Sequence, residues 1–329
     1  MSTSRLGLLL TLATVVVALA VLFARRDAGT TAPATTPLLT GFDAAAVTSL
    51  RISGAAGRPV ATIERTRTGW TLGERDGYPA DAARVRQLLE TLRALHPVER
   101  KTADPARHAV LGVEDPREPG AEGLRLDIVS GTTTRSLVVG RRAATLGTYV
   151  RLADDPQAYA VLPELELPRD TTLWLERTLV RVPGREVAAI EVKPAGEAMY
   201  RLRRDASDPA HLRFENIPRG RAPYDEAIAD PQAALLEGFI IDDVHRATGT
   251  WERSAAATYS TVDGLIVRLA GRRDGNRCRV RLEAATSAAA TAASVARARN
   301  INARAATREF DVAGWRCDGL FKSLEAFLR

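Results

Sequence analysis

The chain is poor in the residues that most often carry chemistry. Two cysteines and four histidines serve 329 positions, and aromatic residues make up 5%. His96, His108, His211 and His245 are scattered, with no pair at helical i, i+4 spacing and no cysteine beside them, so the sequence supports no metal site. Glycine-rich phosphate loops, nucleophile elbows and HExxH segments are missing. These absences leave no catalytic or cofactor-binding residue to nominate, although a triad assembled in space would leave no such trace. No aromatic residue is interleaved with the basic clusters, which removes the stacking platforms of single-strand binders. The net charge of +6 (46 Lys and Arg against 40 Asp and Glu) is spread along the chain. That distribution argues against nucleic acid as a partner. The adjacent acids Asp154-Asp155 and Asp242-Asp243 point apart on any regular element, so they read as solvated charges and not as a catalytic pair.

What is present begins at the N-terminus. Leu6 to Phe23 (LGLLLTLATVVVALAVLF) is an 18-residue run without a charge, about 27 Å long as a helix. This spacing predicts a transmembrane helix that uses the bilayer as its partner. A cleavable signal peptide is the alternative, but Phe23-Ala24-Arg25-Arg26 suits cleavage poorly. Arg5 and the α-amine on one side nearly balance Arg25 and Arg26 on the other, so charge alone does not orient the segment. The following Thr-, Ala- and Pro-rich stretch reads as a tether. The chain then divides into an anchor with its cytoplasmic tip (1–24), the tether (25–41) and two folded halves (42–182 and 183–329).

The halves resemble each other. Val47 to Ile52 and Val187 to Val192 both alternate as half-buried strands. Leu50 matches Ile190 at a spacing of 140, Ile63 matches Leu202 at 139, and Gly123 matches Gly264 at 141. A spacing that holds over three elements predicts a duplication. Each half also carries a helical pattern. Asp81 caps a run with Val85, Leu88, Leu89, Leu92 and Leu95 on one face. Asp230-Pro231 starts a second run through Leu235, Leu236, Phe239 and Ile240. Further helices are expected from Pro163 to Leu179, across the Ala-rich stretch Ala284 to Ala306, and from Trp315 to Leu328. The expected fold class is therefore α+β: an N-terminal transmembrane helix followed by two similar halves, each an antiparallel sheet with packed helices. Hairpin turns fall at Ser130-Gly131 and Asp274-Gly275.

Two features remain as candidate sites. Cys278 alternates inward with Val280 and Leu282, and Cys317 shares a helical stripe with Leu320, Leu324 and Phe327. Two inward thiols form either a disulfide or two separate buried cysteines, and sequence leaves both open. Arg277, Arg279 and Arg281 fall on the opposite strand face. That row is either an anion-contacting surface or a solvated face that discourages edge pairing.

Several stretches carry a family resemblance. They are Trp70-Thr-Leu with Tyr78-Pro-Ala-Asp81 and the Val85 to Leu95 helix, then Thr148-Tyr-Val-Arg-Leu152, and the tail Arg308 to Trp315 leading into Leu324 to Leu328. In these the chain resembles the bacterial membrane-anchored family known as domain of unknown function 4340. The resemblance implies an extracytoplasmic position and kinship with auxiliary components of gliding-motility-type ABC transporters; it supplies no catalytic residues. The resulting expectation is a non-enzymatic accessory or scaffold protein of the cytoplasmic (inner) membrane, its bulk in the periplasm or extracytoplasmic space and its partner a membrane protein. A binding module for an anionic envelope component is the alternative, and an envelope hydrolase the third reading.

Overall fold

The computed structural model describes residues 36–144, 147–251 and 254–329. Its first half runs through β1 (Val47–Ser53), β2 (Pro59–Thr66), β3 (Gly69–Leu72), β4 (Tyr78–Pro79), α1 (Ala82–Ala94), β5 (His96–Arg100), α2 (His108–Leu111), β6 (Leu124–Ser130), β7 (Thr133–Arg142), β8 (Thr148–Leu152) and β9 (Ala158–Leu162). A short strand, β10 (Thr178–Val180), leads into the second half. This comprises β11 (Val187–Lys193), β12 (Tyr200–Arg204), β13 (Leu212–Phe214), β14 (Phe239–Ile240), β15 (Asp243–Arg246), β16 (Ala255–Thr261), β17 (Leu265–Asp274), β18 (Arg277–Thr286), α3 (Ala292–Ala305), β19 (Arg308–Ala313) and α4 (Gly314–Leu320).

The strands form two large antiparallel sheets, ordered β4-β3-β2-β1-β6-β7-β8-β9-β5 and β13-β12-β11-β16-β17-β18-β19-β15, and a small β10-β14 pair. Reading both orders from β3 and β13 shows one plan executed twice. The agreement reaches single residues. Leu50 pairs with Ile128 as Ile190 pairs with Tyr259, and the register slips between Val47 and Ser49 as it does between Val187 and Ala189. Isolated bridges Ala80–Leu175 and Pro223–Leu328 close the halves in the same way. Alternation along β16 shows why such strands form: Ala255, Ala257, Tyr259 and Thr261 are buried while the residues between them are not.

The expected α+β layering is overturned. The described residues are built on antiparallel sheets, and two of the anticipated helices do not form. Residues 163–179 give only a 3-10 turn at Thr171–Trp174 and the strand β10, since Pro163 and Pro168 interrupt any helical ladder. The Asp230 run is a 3-10 segment, Asp230–Leu236, followed by Gly238 at φ +73°. At the C-terminus α4 stops at Leu320, and a separate 3-10 turn covers Leu324–Phe327. The Ala-rich helix is shorter than its stretch: Ala284 to Thr286 belong to β18, and α3 begins at Ala292. The stretch Leu6 to Phe23, expected to span a membrane, and most of the tether lie outside the described residues. Among those described, no helix is long and apolar enough to cross a membrane.

α1 forms where expected. The Asp81 carboxylate accepts from the Ala83 and Arg84 amides, and Val85, Leu88, Leu89 and Leu92 are buried. Such a cap contributes about 1 kcal/mol. The two halves share one continuous apolar core. At their junction the Arg75 guanidinium grips Asp243 in a fork, with Nε to Oδ1 2.6 Å and Nη2 to Oδ2 3.0 Å. Close by, Tyr78 meets Phe310 edge to face. Arg304 donates from α3 to the carbonyls of Thr178 and Leu179, fastening the connection between the halves.

Candidate functional site

The polar groups gather on one face of the second sheet. Along β18 the alternation buries Cys278, Val280 and Leu282 and turns Arg277, Arg279 and Arg281 the other way. β19 pairs with β18 so that Asp311 lies across from Arg279, and β15 adds His245 opposite Glu309. Two arginines of the row are therefore not an open cationic surface. Arg279 donates through Nε to Asp311 at 2.8 Å and through Nη1 to Glu309 at 3.2 Å; Arg281 reaches Glu309 at 3.1 Å. Glu309 is 1% and Asp311 6% exposed, so these pairs neutralise carboxylates that burial would otherwise penalise heavily. Arg277, at the turn, remains exposed. Burial pushes the Asp311 carboxyl up, but hydrogen bonds from Arg279 and His245 outweigh it and hold the group below its ordinary value. His245 Nε2 lies 2.9 Å from Asp311, so the imidazole donates to a carboxylate that Arg279 already engages.

Arg281 has a second task. It donates to the carbonyls of Thr248 and Gly249 and lies 4.4 Å from the centre of the Trp251 ring. Arg272 stacks against the same indole at 4.8 Å. Trp251, Arg272, Cys317, Phe321 and Lys322 are among the residues lining a cleft of about 570 Å³. The floor depends on Gly271: a Cβ there would sit 2.0 Å from the Phe321 ring, so only glycine lets the ring lie against the strand. Asp318 also borders the cleft and is paired with Arg273.

Cys278 and Cys317 are joined in a disulfide with their Cα atoms 5.7 Å apart, within the span a bridge needs. The bond fastens α4, and with it the Phe321 side of the cleft, to β18. The first half ties its corresponding segment differently. Thr148 pairs with Val161 as Cys278 pairs with Val312, and the Thr148 hydroxyl accepts from the Leu165 amide at 3.1 Å.

The other histidines hold structure. His108 is buried with Nε2 2.9 Å from the Pro156 carbonyl, His96 reaches Ala94, and His211 binds Asp230 at 2.7 Å. Among the described residues no group of three or more His, Cys, Asp or Glu is arranged to hold a metal ion. Sequence reasoning missed Trp251, Arg272, Glu309 and Asp311. The alternation from Arg308 to Val312 reveals the last two as one face of a strand, but nothing local names their partners.

Fold and site together define a duplicated antiparallel-sheet protein whose second copy carries a disulfide-braced cleft beside a neutralised charge network. The chain belongs to the family described as Domain of unknown function (DUF4340), whose profile matches residues 70–237. That match starts in β3 and ends beyond the Asp230–Leu236 turn, so it takes in parts of both halves. The Trp70 to Leu95 and Thr148 to Leu152 stretches fall inside it and the Arg308 to Leu328 tail outside. No curated protein and no solved structure matches the chain.

Proposed function

We propose that the protein is a non-enzymatic accessory or scaffold component on the extracytoplasmic side of the cytoplasmic membrane, engaging a membrane complex such as an ABC transporter. The observation that carries this reading is the Cys278–Cys317 disulfide, because such bonds persist outside the reducing cytosol. The charge network supports it further. Glu309, Asp311, Arg279 and Arg281 are spent on one another, which suits a rigid body that presents surfaces to other proteins. The test is crosslinking in intact cells followed by purification in detergent. Recovery of a specific membrane partner is expected; recovery of the protein alone would sink the reading. Alkylation of thiols before lysis checks location separately, since a cytosolic protein would label at both cysteines.

A further inference from the structure

We propose that the groove between α1 and the segment from Glu164 to Pro168 is a docking site for an extended peptide of a partner protein, added as a strand along the main chain of Glu166. As a partner surface the groove rests on the accessory reading. Peptide binding by the purified chain is measured apart from crosslinking, so the two can fail separately.

The segment is a strand without a sheet. Glu164 and Glu166 are exposed while Leu165 and Leu167 are buried, which is the alternation of an edge strand. Pro163 and Pro168 bound the run, and it joins none of the sheets. From Glu164 to Leu167 the one main-chain hydrogen bond among the described residues is made by Leu165, whose amide donates to the Thr148 hydroxyl. Successive residues of an extended chain turn their N–H and C=O groups to opposite sides. Glu166 therefore turns both of its groups away from Thr148. Thr148 lines the hollow on one side of the segment, and α1 lines the groove on the other. Main-chain groups left open in this way are a template for an added strand. In the second copy the corresponding segment coils into α4 under its disulfide, so the template belongs to the first copy.

The groove holds about 380 Å³ and is lined by Arg84 and Gln87 of α1, by Leu165 and Glu166, and by Leu173 and Trp174. Its chemistry suits a peptide. The Arg84 Nε is buried without an acceptor, and a peptide carbonyl supplies one. Gln87 lies on the same helix face three residues on, with an amide that both donates and accepts. Leu165 and Trp174 are 2% and 1% exposed, whereas Leu173 is 43% exposed and offers apolar contact to a peptide side chain. Glu164 is paired with Arg142, but the exposed Glu166 carboxylate makes no ion pair among the described residues. A basic residue in the peptide complements it.

Random dodecapeptides displayed on phage are panned against the full-length chain in detergent, and an enriched peptide is titrated by fluorescence anisotropy. Enrichment of sequences with alternating β-branched residues and a basic residue is expected. E166P, which removes the amide, and R84A should each weaken binding about tenfold, and E166Q less than either. Circular dichroism confirms that the variants are folded. N-methylation of the peptide tests the pairing with the protein unaltered: methylating alternate amides in one register abolishes binding, and in the other register leaves it intact. The proposal is overturned if no peptide is enriched, if E166P and R84A bind as well as the unaltered protein, or if both methylation registers bind alike. Self-association of the chain that E166P abolishes would place a second copy in the groove and overturn the assignment to a different partner.

Discussion

Arg151 and Arg281 stand at the same place in the two halves and perform the same task. Leu137 pairs with Leu152, and Leu269 with Leu282, which sets each arginine one residue before its paired leucine. Each then donates to a carbonyl of the connection that leads into β6 or β16: Arg151 to Val113 at 3.0 Å, Arg281 to Gly249 at 3.0 Å. Arg151 also serves Leu152, Ala153 and Asp155. Such loops carry backbone acceptors that must be satisfied once covered, and one long side chain does so in both copies. Substituting Arg151 with Met keeps the aliphatic stem and strands these carbonyls. The expected loss is about 2–3 kcal/mol of stability, read from urea denaturation midpoints at constant m-value.

Reducing the disulfide frees a loop whose ends are 39 residues apart. The chain-entropy account assigns such a closure about 4 kcal/mol. The urea midpoint should fall on addition of dithiothreitol, and the C278S/C317S double variant should match the reduced protein. A midpoint indifferent to reductant would contradict the bracing role given to the bond.

Glu309 sits between two arginines, so its removal takes a buried carboxylate from both, leaving Arg279 with Asp311 and Arg281 with the Thr248 and Gly249 carbonyls. Glu309→Ala is expected to cost about 2–4 kcal/mol, toward the lower end of the range for broken buried pairs because both guanidiniums are partly exposed. Arg277→Ser, at the exposed turn, should change stability by less than about 0.5 kcal/mol. Comparable losses in the two variants would show that the row is not divided as described.

The Asp230 hydrogen bond raises the pKa of His211 above its ordinary value, and Asp208 adds to the effect. A raised folded-state value gives stability that is full below about pH 6.5 and is lost as pH rises through the folded value. His211→Ala should therefore destabilise the protein more at pH 5.5 than at pH 8.5. Proton NMR of the imidazole should show a midpoint above about 6.5, and a lower midpoint would reverse the sign.

The Arg75–Asp243 fork joins the halves with both side chains mostly buried. A double-mutant cycle with Arg75→Ala and Asp243→Ala should return a coupling of about 1–2 kcal/mol. Additive losses would show that the fork does not hold the junction.

The duplication was legible because paired strands repeat their alternation, and Leu50 with Ile190 marks it correctly. The constant spacing did not survive. Ile128 answers to Tyr259 and Val161 to Val312, so the spacing shrinks and then grows. The long 101–123 connection of the first half is replaced by 247–254 in the second, and α3 is inserted before β19. Hence the Gly123–Gly264 match joined strands that are not equivalent, and Cys278 corresponds to Thr148. The helices misread from sequence failed for a related reason. An apolar stripe at helical spacing also suits a segment broken into short turns against a core, and Cys317, Leu320 and Phe327 are all buried from two separate elements. The charge network was hidden because Arg279 meets Asp311 only through the β18–β19 register. A residue's partner across a sheet is set by topology, which local periodicity does not carry.

The different ties at Thr148 and Cys278 give the two copies different mechanical characters. A hydroxyl accepting one amide yields readily to tension, whereas a sulfur–sulfur bond does not break under forces that unravel sheets. Pulled from its ends, the oxidised protein keeps the stretch between its cysteines out of the extending polymer. That withheld length is about 130 Å, at roughly 3.4 Å per residue over the 39-residue separation. The trailing copy is thus the one built to retain a folded remnant under load.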